Sequence, residues 1–296
     1  MTCNIGVFHV VPDMNADPAI VARAAEDLGF SSYWVPEHAI LPVDFRSNYA
    51  GNLDDDADVA PPPDYLWQMP DPWIALARAS AVTSSIRLGT AICLVPEHNP
   101  LILANEVASL DHYCGGRVNF GIGAGWNREE SEILGVDFDH RWTQTRECIE
   151  IMRALWTEDA ASYHGKYYSF PPVRCYPKPA QRPHPPIYLG SIGSPRVLQR
   201  IAKWGDGWIP LTDDFGELAK GRQRLNKLCA ENNRDPASIS ISLLAPLDRC
   251  RTAKELAEAK RAGADEVIVW TTTTELNDML DELKGLADEL IPTLAE

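Results

Sequence analysis

Short apolar runs rich in strand-forming residues recur along the chain at 5–8, 33–36, 86–94, 118–122, 187–190, 207–210, 239–244 and 266–270. Between them the apolar spacing changes to the helical period, near 18–29, 72–83, 100–113, 141–157, 195–204, 215–232, 252–262 and 275–290. Leu103, Val107 and Leu110 make one such stripe; Leu276, Met279, Leu280, Leu283, Leu286 and Leu290 make another. Asp17-Pro18, Asp71-Pro72, Asn99-Pro100, Ser194-Pro195 and Asp235-Pro236 each set a capping side chain before a first-turn proline, a helix-start signal. Eight strand–helix pairs predict the α/β class and a single (β/α)8 TIM barrel over 1–296. Two stretches exceed a minimal barrel. Residues 41–70 are rich in Asp and Pro, and 162–185 are rich in Pro and aromatics. Both are expected as excursions at the C-terminal face, where long loops line or cover a site; the alternative is surface or oligomer contact.

Composition narrows the function classes. The 296 residues suffice for one barrel of about 250 residues with insertions. A net charge of −15 disfavours nonspecific nucleic-acid binding and requires any anionic ligand to find a locally favourable site. The seven cysteines are scattered singly with no CxxC pair, so reduced, mostly buried thiols in a cytoplasmic protein are expected. No apolar run approaches the ~18 residues of a membrane span, and no signal peptide is read at the start. No His, Cys or carboxylate group has metal-ligand spacing, so no metal is expected.

Barrel chemistry lies where strands end, at the C-terminal face. Gly190-Ser191-Ile192-Gly193-Ser194 ends the fifth strand and leads into a helix. Glycines permit close backbone approach, the hydroxyls donate, and free N–H groups at a helix start favour an anion, so this loop is a candidate phosphate site. The plain alternative is a turn with a cap. Gly123-Ala124-Gly125-Trp126-Asn127 ends the fourth strand, and Glu37-His38 ends the second. An imidazole at that rim can give or take a proton. His9 and His98 are weaker candidates, and Glu129 and Glu130 read as a solvated helix start. Asp111 and Arg117 are expected as an ion pair holding the turn between them, and Asp206 as a turn residue.

The stretch from Ile86 to Glu130, IRLGTAICLVPEHNPLILANEVASLDHYCGGRVNFGIGAGWNREE, resembles the luciferase-like monooxygenase superfamily, and in particular its branch that uses the deazaflavin coenzyme F420. The likeness spans nearly the whole chain and is most specific at 30–38, 86–130, 141–157 and 176–210. It implies a cis bond at Ala91–Ile92 within a bulge behind the cofactor ring, with Phe8, Thr90, Ala91 and Ile92 contacting the cofactor. It also implies cofactor contacts from Gly125, Trp126 and Asn127, and phosphate contacts from Gly190, Ser191, Gly193 and Ser194. His38 would be both a cofactor contact and the catalytic proton donor or polarising group. Sugar-phosphate dehydrogenases of the superfamily carry a Glu where Trp126 stands, which argues against sugar-phosphate oxidation. Tyr65, Trp67 and Trp126 lie in expected mouth loops and are candidate walls of the substrate pocket.

The implied reaction is hydride transfer between the deazaflavin C5 and a small organic substrate. One alternative is an FMN-dependent monooxygenase supplied with reduced cofactor by a partner reductase; another is a non-catalytic cofactor-binding barrel. The acidic polyglutamate tail of F420 would call for basic residues, with Arg46, Arg128, Lys178 and Arg196 as candidates. The family also implies a homodimer through 72–83 and 100–113.

Overall fold

A computed structural model describes residues 3–10, 15–47 and 64–295. Eight parallel strands form the barrel: β1 (Asn4–Phe8), β2 (Ser32–Val35), the pair β3 (Arg87–Thr90) and β4 (Cys93–Leu94) acting as one interrupted strand, β5 (Val118–Gly123), β8 (Ile187–Gly190), β9 (Gly207–Ile209), β10 (Ser240–Leu244) and β11 (Glu266–Trp270). The order β3-β2-β1-β11-β10-β9-β8-β5 closes through pairing of β3 with β5. The predicted strand 86–94 is therefore split at Ala91-Ile92. The peptide bond there is cis, as the resemblance implies.

The helices match the expected positions: α1 (Pro18–Asp27), α2 (Pro72–Ser80), α3 (Pro100–Tyr113), α5 (Arg141–Thr157), α6 (Pro195–Trp204), α7 (Phe215–Glu231), α8 (Ala253–Ala262) and α9 (Leu276–Leu290). Asp17, Asp71 and Asn99 cap α1, α2 and α3 through their side chains, each before a first-turn proline. The fifth proline signal produces only a 3-10 turn, Pro236–Ser238, because β10 begins two residues later. A short α4 (Arg128–Ile133) follows the β5 loop, capped by Asn127.

The 162–185 excursion spans the barrel from one end to the other: Tyr167 donates to Asp137 in the loop ahead of α5, and Gln144 near the start of α5 donates to Tyr168. It begins as an antiparallel hairpin, β6 (Ala161–His164) with β7 (Ser169–Val173), whose turn is tied to α5: Glu147 accepts from the N–H groups of Lys166 and Tyr167. The proline-rich run then crosses the opposite end of the barrel. There Gln181 bonds Asp111 and the Val118 carbonyl, and Arg87 at the start of β3 reaches Gln181. Of the 41–70 excursion, residues 48–63 lie outside the described residues; 64–68 form a 3-10 turn.

Two apolar clusters divide the interior. The larger fills the layer between strands and helices. The smaller sits inside the barrel, where Phe8, Trp34, Ala91, Ile209, Leu244 and Ile268 meet Tyr65, Ile92 and Trp270. At the N-terminal end the lumen is polar: buried Glu266 accepts from Ser32 and Ser242, and Trp34 Nε1 donates to Ser32 Oγ at 2.6 Å. Burial pushes the Glu266 carboxyl above its ordinary range, against the hydroxyl donors that hold it down. A closed floor and an open apolar mouth leave the C-terminal end as the place for a ligand.

Asp111 and Arg117 hold their turn separately, not as an ion pair. Arg117 spends its guanidinium on the carbonyls of Cys114, Ile86, Ser80 and Thr83, while Asp111 accepts from Val118 N and Gln181. Asp206 is the expected turn residue, accepting from Ile187 N. Six of the seven cysteines are buried free thiols and Cys175 is half-buried. Among the described residues no helix is long and apolar enough to cross a membrane.

Candidate active site

His38 follows the end of β2, with its side chain largely buried at the mouth. Its Nδ1 lies 2.8 and 3.0 Å from the two oxygens of Glu130, and the indole N–H of Trp126 points at its Nε2 at 3.2 Å. An indole can only donate, so Nε2 accepts and the proton sits on Nδ1, donated to Glu130. Trp126 also meets His38 and Phe45 edge to face, at 5.6 and 5.7 Å. Glu130 is thus not part of a solvated helix start. It is 1% exposed, at the third residue of α4, where Asn127 Oδ1 caps its N–H. Glu129 beside it faces outward and accepts from Arg46 N and Ser47 Oγ.

A third carboxyl lies under the same loop. Glu97 accepts from Ser131 Oγ at 2.7 Å, and a Cβ on Gly125 would come 3.0 Å from both. Gly125 has φ +85°, so this tight corner suits glycine twice over. Burial, then the nearby charge of Glu130, pushes Glu97 up to about 8, against the Ser131 hydrogen bond. Between its ordinary value and about 8 the folded chain keeps a proton that the unfolded chain releases, so stability falls as pH rises through that window. Glu97→Gln keeps the shape and cannot ionise. Its melting temperature is expected to exceed the wild type at pH about 9 and to match it at pH about 5; equal gaps at both would contradict a buried titrating Glu97.

Glu37 is also buried. Its carboxylate accepts from Leu94 N, just past the strand break, and meets His98 Nε2 at 2.8 Å. Burial opposes charge on His98, but the bond to Glu37 outweighs it and raises the imidazole above its ordinary value. Cys93 brings a third donor, so Glu37, Cys93 and His98 place one donor atom each within 4.8 Å of one another, a grouping that sequence spacing hides. Both Glu37 oxygens are engaged, and burial raises the Cys93 thiol far above its ordinary range. The Glu37–His98 pair, with the Cys93 thiol beside it, anchors β4 to the end of β2. His9 turns away from the mouth: fully buried, it bonds Tyr33 at 2.6 Å, and burial lowers it to about 3.

The remaining expected residues separate into two groups. Phe8, Ala91 and Ile92 belong to the apolar mouth cluster, as does Tyr65, while Trp67 is 42% exposed and stands outside it. Thr90 spends its hydroxyl on Gly121 O at 2.6 Å, locking β3 to β5. The space a Cβ would take on Gly123 or Gly190 is filled by the Ile92 side chain, which turns over both strand ends. Asn127 is buried, its Nδ2 without a partner among the described residues.

The loop after β8 carries the glycines and serines read from the sequence as a candidate phosphate site. Gly193 takes φ +82° against the Trp208 ring, and Ser191 Oγ accepts from Gly193 N at 3.1 Å. Trp208 Nε1 holds the Ser191 carbonyl. Ser194 occupies the cap of α6, but its hydroxyl makes no capping bond, unlike the caps of α1, α2 and α3. The helix start thus has no side-chain cap, and the first-turn N–H of Arg196 makes no backbone bond among the described residues. Glycine, serine and an uncapped helix start next to an apolar floor fit a planar ring that carries a phosphate.

The interrupted parallel barrel, with its site built on the loops after the second, fourth and fifth barrel strands, defines the luciferase-like class of (β/α)8 proteins. The family model described as luciferase-like monooxygenase matches residues 17–288, and the chain belongs to that family. An uncharacterized protein of Mycobacterium tuberculosis, Rv0953c, is 36% identical over 285 residues, covering 96% of this chain and 98% of its own. The FMNH(2)-dependent dimethylsulfone monooxygenase of Pseudomonas putida is 28% identical over 208 residues, 69% of this chain and 55% of its own. Among solved structures, the coenzyme F420 dependent tetrahydromethanopterin reductase of Methanopyrus kandleri superposes with a TM-score of 0.76 at 16% identity, covering 99% of each chain. The family is one of oxidoreductases and monooxygenases; a solved structure that shares the fold is an F420-dependent reductase, and the Pseudomonas putida relative is FMNH(2)-dependent.

Proposed function

We propose that the protein is an F420-dependent oxidoreductase acting on a small organic substrate. One observation carries the reading: an apolar mouth with a phosphate-type donor loop on one side and His38, clamped by buried Glu130, on the other. The resemblance of 86–130 supports the deazaflavin, as does the fold shared with the Methanopyrus reductase. Ser191, Gly193 and Ser194 would hold the phosphate, and Phe8, Ala91 and Ile92 would support the ring. A bound deazaflavin supplies reversible hydride exchange. His38 Nε2 takes a proton from a substrate hydroxyl or returns one to a carbonyl oxygen, once Trp126 yields that position. Glu130 keeps the imidazole in the tautomer that leaves Nε2 facing the mouth. Trp126 and Tyr65 would wall the pocket.

The second reading, FMN-dependent monooxygenation with a partner reductase, is supported by the dimethylsulfone monooxygenase relative. Anaerobic incubation with reduced F420 and a panel of enones, imines and ketones tests the choice. Substrate-dependent oxidation of the cofactor without oxygen is expected; turnover only with reduced FMN and oxygen would overturn it. A cytoplasmic homodimer completes the proposal. Ile74 on α2 and Tyr113 on α3 are 64% and 84% exposed along one groove, and sedimentation should report twice the chain mass.

A further inference from the structure

The tetrapeptide Val-Pro-Glu-His occurs twice, at 35–38 and at 95–98, each time where a strand ends. The two corners interlock through their side chains. The first gives His38 to Glu130 and Glu37 to the second corner, where Glu37 Oε1 meets His98 Nε2 at 2.8 Å. Cys93, fully buried, completes the group, with its sulfur within 4.8 Å of the donor atoms of Glu37 and His98. Cys93 belongs to the apolar layer between strands and helices, whereas Phe8, Ala91 and Ile92 belong to the mouth. The group therefore sits behind the wall of the mouth, apart from the candidate active site. The sequence reading of no metal site rests on spacing, and Glu37 stands 61 residues from His98.

Three features of this group suit a cation. A carboxylate oxygen, an imidazole nitrogen and a thiol sulfur are the donor types of zinc-like ions; magnesium and calcium take oxygen sets. The spacing is close to a ligand set. Bonds of about 2.0–2.3 Å at tetrahedral angles hold donors about 3.3–3.8 Å apart, so Cys93 has to close in by about 1 Å while Glu37 and His98 part slightly. The surrounding field is negative as well. The charged side chains that bear most on Cys93 and His98 are the carboxylates of Glu37, Glu97 and Glu106, with no arginine or lysine among them. His98 keeps 21% of its side chain exposed, which leaves a route for an ion and room for a water.

We propose that Glu37, Cys93 and His98 form a binding site for one zinc-like divalent ion, with water in the fourth position. Loading replaces protons by the metal. Cys93 gives up its thiol proton to bind as thiolate, and His98 Nε2 gives up the proton it shares with Glu37, so that its lone pair faces the ion. Glu37 keeps the Leu94 N–H on Oε2 and offers Oε1. The role of the ion is structural. It joins the end of β2, one residue before His38, to β4, one residue past Ile92, and so ties together two walls of the mouth.

The test uses the untagged 296-residue chain, stripped with a chelator under a non-thiol reductant and then titrated separately with Zn2+, Co2+ and Mg2+. One Zn2+ per chain is expected to survive gel filtration and to raise the melting temperature. Co2+ should give the near-ultraviolet charge-transfer band of a cobalt–thiolate bond, and Mg2+ should do neither. Cys93→Ser should abolish that band and weaken zinc binding by about tenfold or more; His98→Gln should weaken zinc binding by a similar factor. If Cys93→Ser folds poorly, His98→Gln carries the comparison, because the imidazole is partly exposed. Cys175→Ser removes the half-buried thiol and should change nothing. A wild type that retains no zinc and shows no cobalt band would overturn the site. So would a band that survives Cys93→Ser or disappears in Cys175→Ser. None of these readouts involves a cofactor or turnover, so the site stands or falls separately from the proposed function.

Discussion

A His38→Gln protein is expected to bind its cofactor within about twofold of wild type and to turn over at roughly one hundredth of the rate or less, the range lost when a positioned proton carrier is removed. Glutamine keeps a polar side chain beside Glu130 and Trp126, so the mouth retains its shape, but its amide cannot accept and release a proton. Glu130→Gln provides the control that separates proton transfer from packing. It leaves the imidazole present while removing the carboxylate that holds Nδ1–H from 2.8 Å. Its rate should fall by about tenfold, because the imidazole is free to turn or change tautomer. If His38→Gln retained most of the turnover, His38 would be a rim residue and the chemistry would lie elsewhere.

The largest effect on stability is expected at Gly121. A Cβ there would overlap the Thr90 carbonyl oxygen and lie 2.8 Å from Ile209 Cδ1. Thr90 is the last residue before the strand break, and its own hydroxyl bonds Gly121 O, so neither chain can retreat without unpicking β3 from β5. Gly121→Ala should lose about 3 kcal/mol or more, or fail to fold, read as the denaturant midpoint. Gly285 calibrates the experiment: it lies exposed inside α9 with nothing near its missing Cβ. Gly285→Ala should gain about 0.5–1 kcal/mol. Similar midpoints for the two variants would mean that the β3–β5 seam is far more yielding than its packing implies.

These two sites also mark the boundary of what could be read from the sequence. The barrel was legible because each element is signalled locally: apolar runs for strands, stripes and Asx-Pro caps for helices. The Asp235-Pro236 signal misled because a cap sets a first turn but cannot extend it without an apolar face. The run at 162–185 is held at both ends of the barrel, by Asp137 and Gln144 at one and by Asp111 and Arg87 at the other, and nothing local announces the second set. At the candidate site, His38 and the loops around Trp126 and Gly193 were visible as strand-end chemistry. Glu130 was not: it is 92 residues from His38, within an Arg-Glu-Glu run that composition reads as solvated. The spacing Asn127-x-x-Glu130 was the available signal, because a cap places the third helical residue beside the loop it closes. Glu37 with His98 escaped for the same reason, being joined only by the closed barrel.

Equilibrium titration of the purified protein with oxidised F420 and, separately, with FMN, followed by fluorescence quenching, tests the central claim most directly. Micromolar or tighter binding of F420 with much weaker binding of FMN is the predicted result. Binding of neither would contradict the account, reducing the loop 190–194 to a turn and the mouth to an apolar hollow without a cofactor.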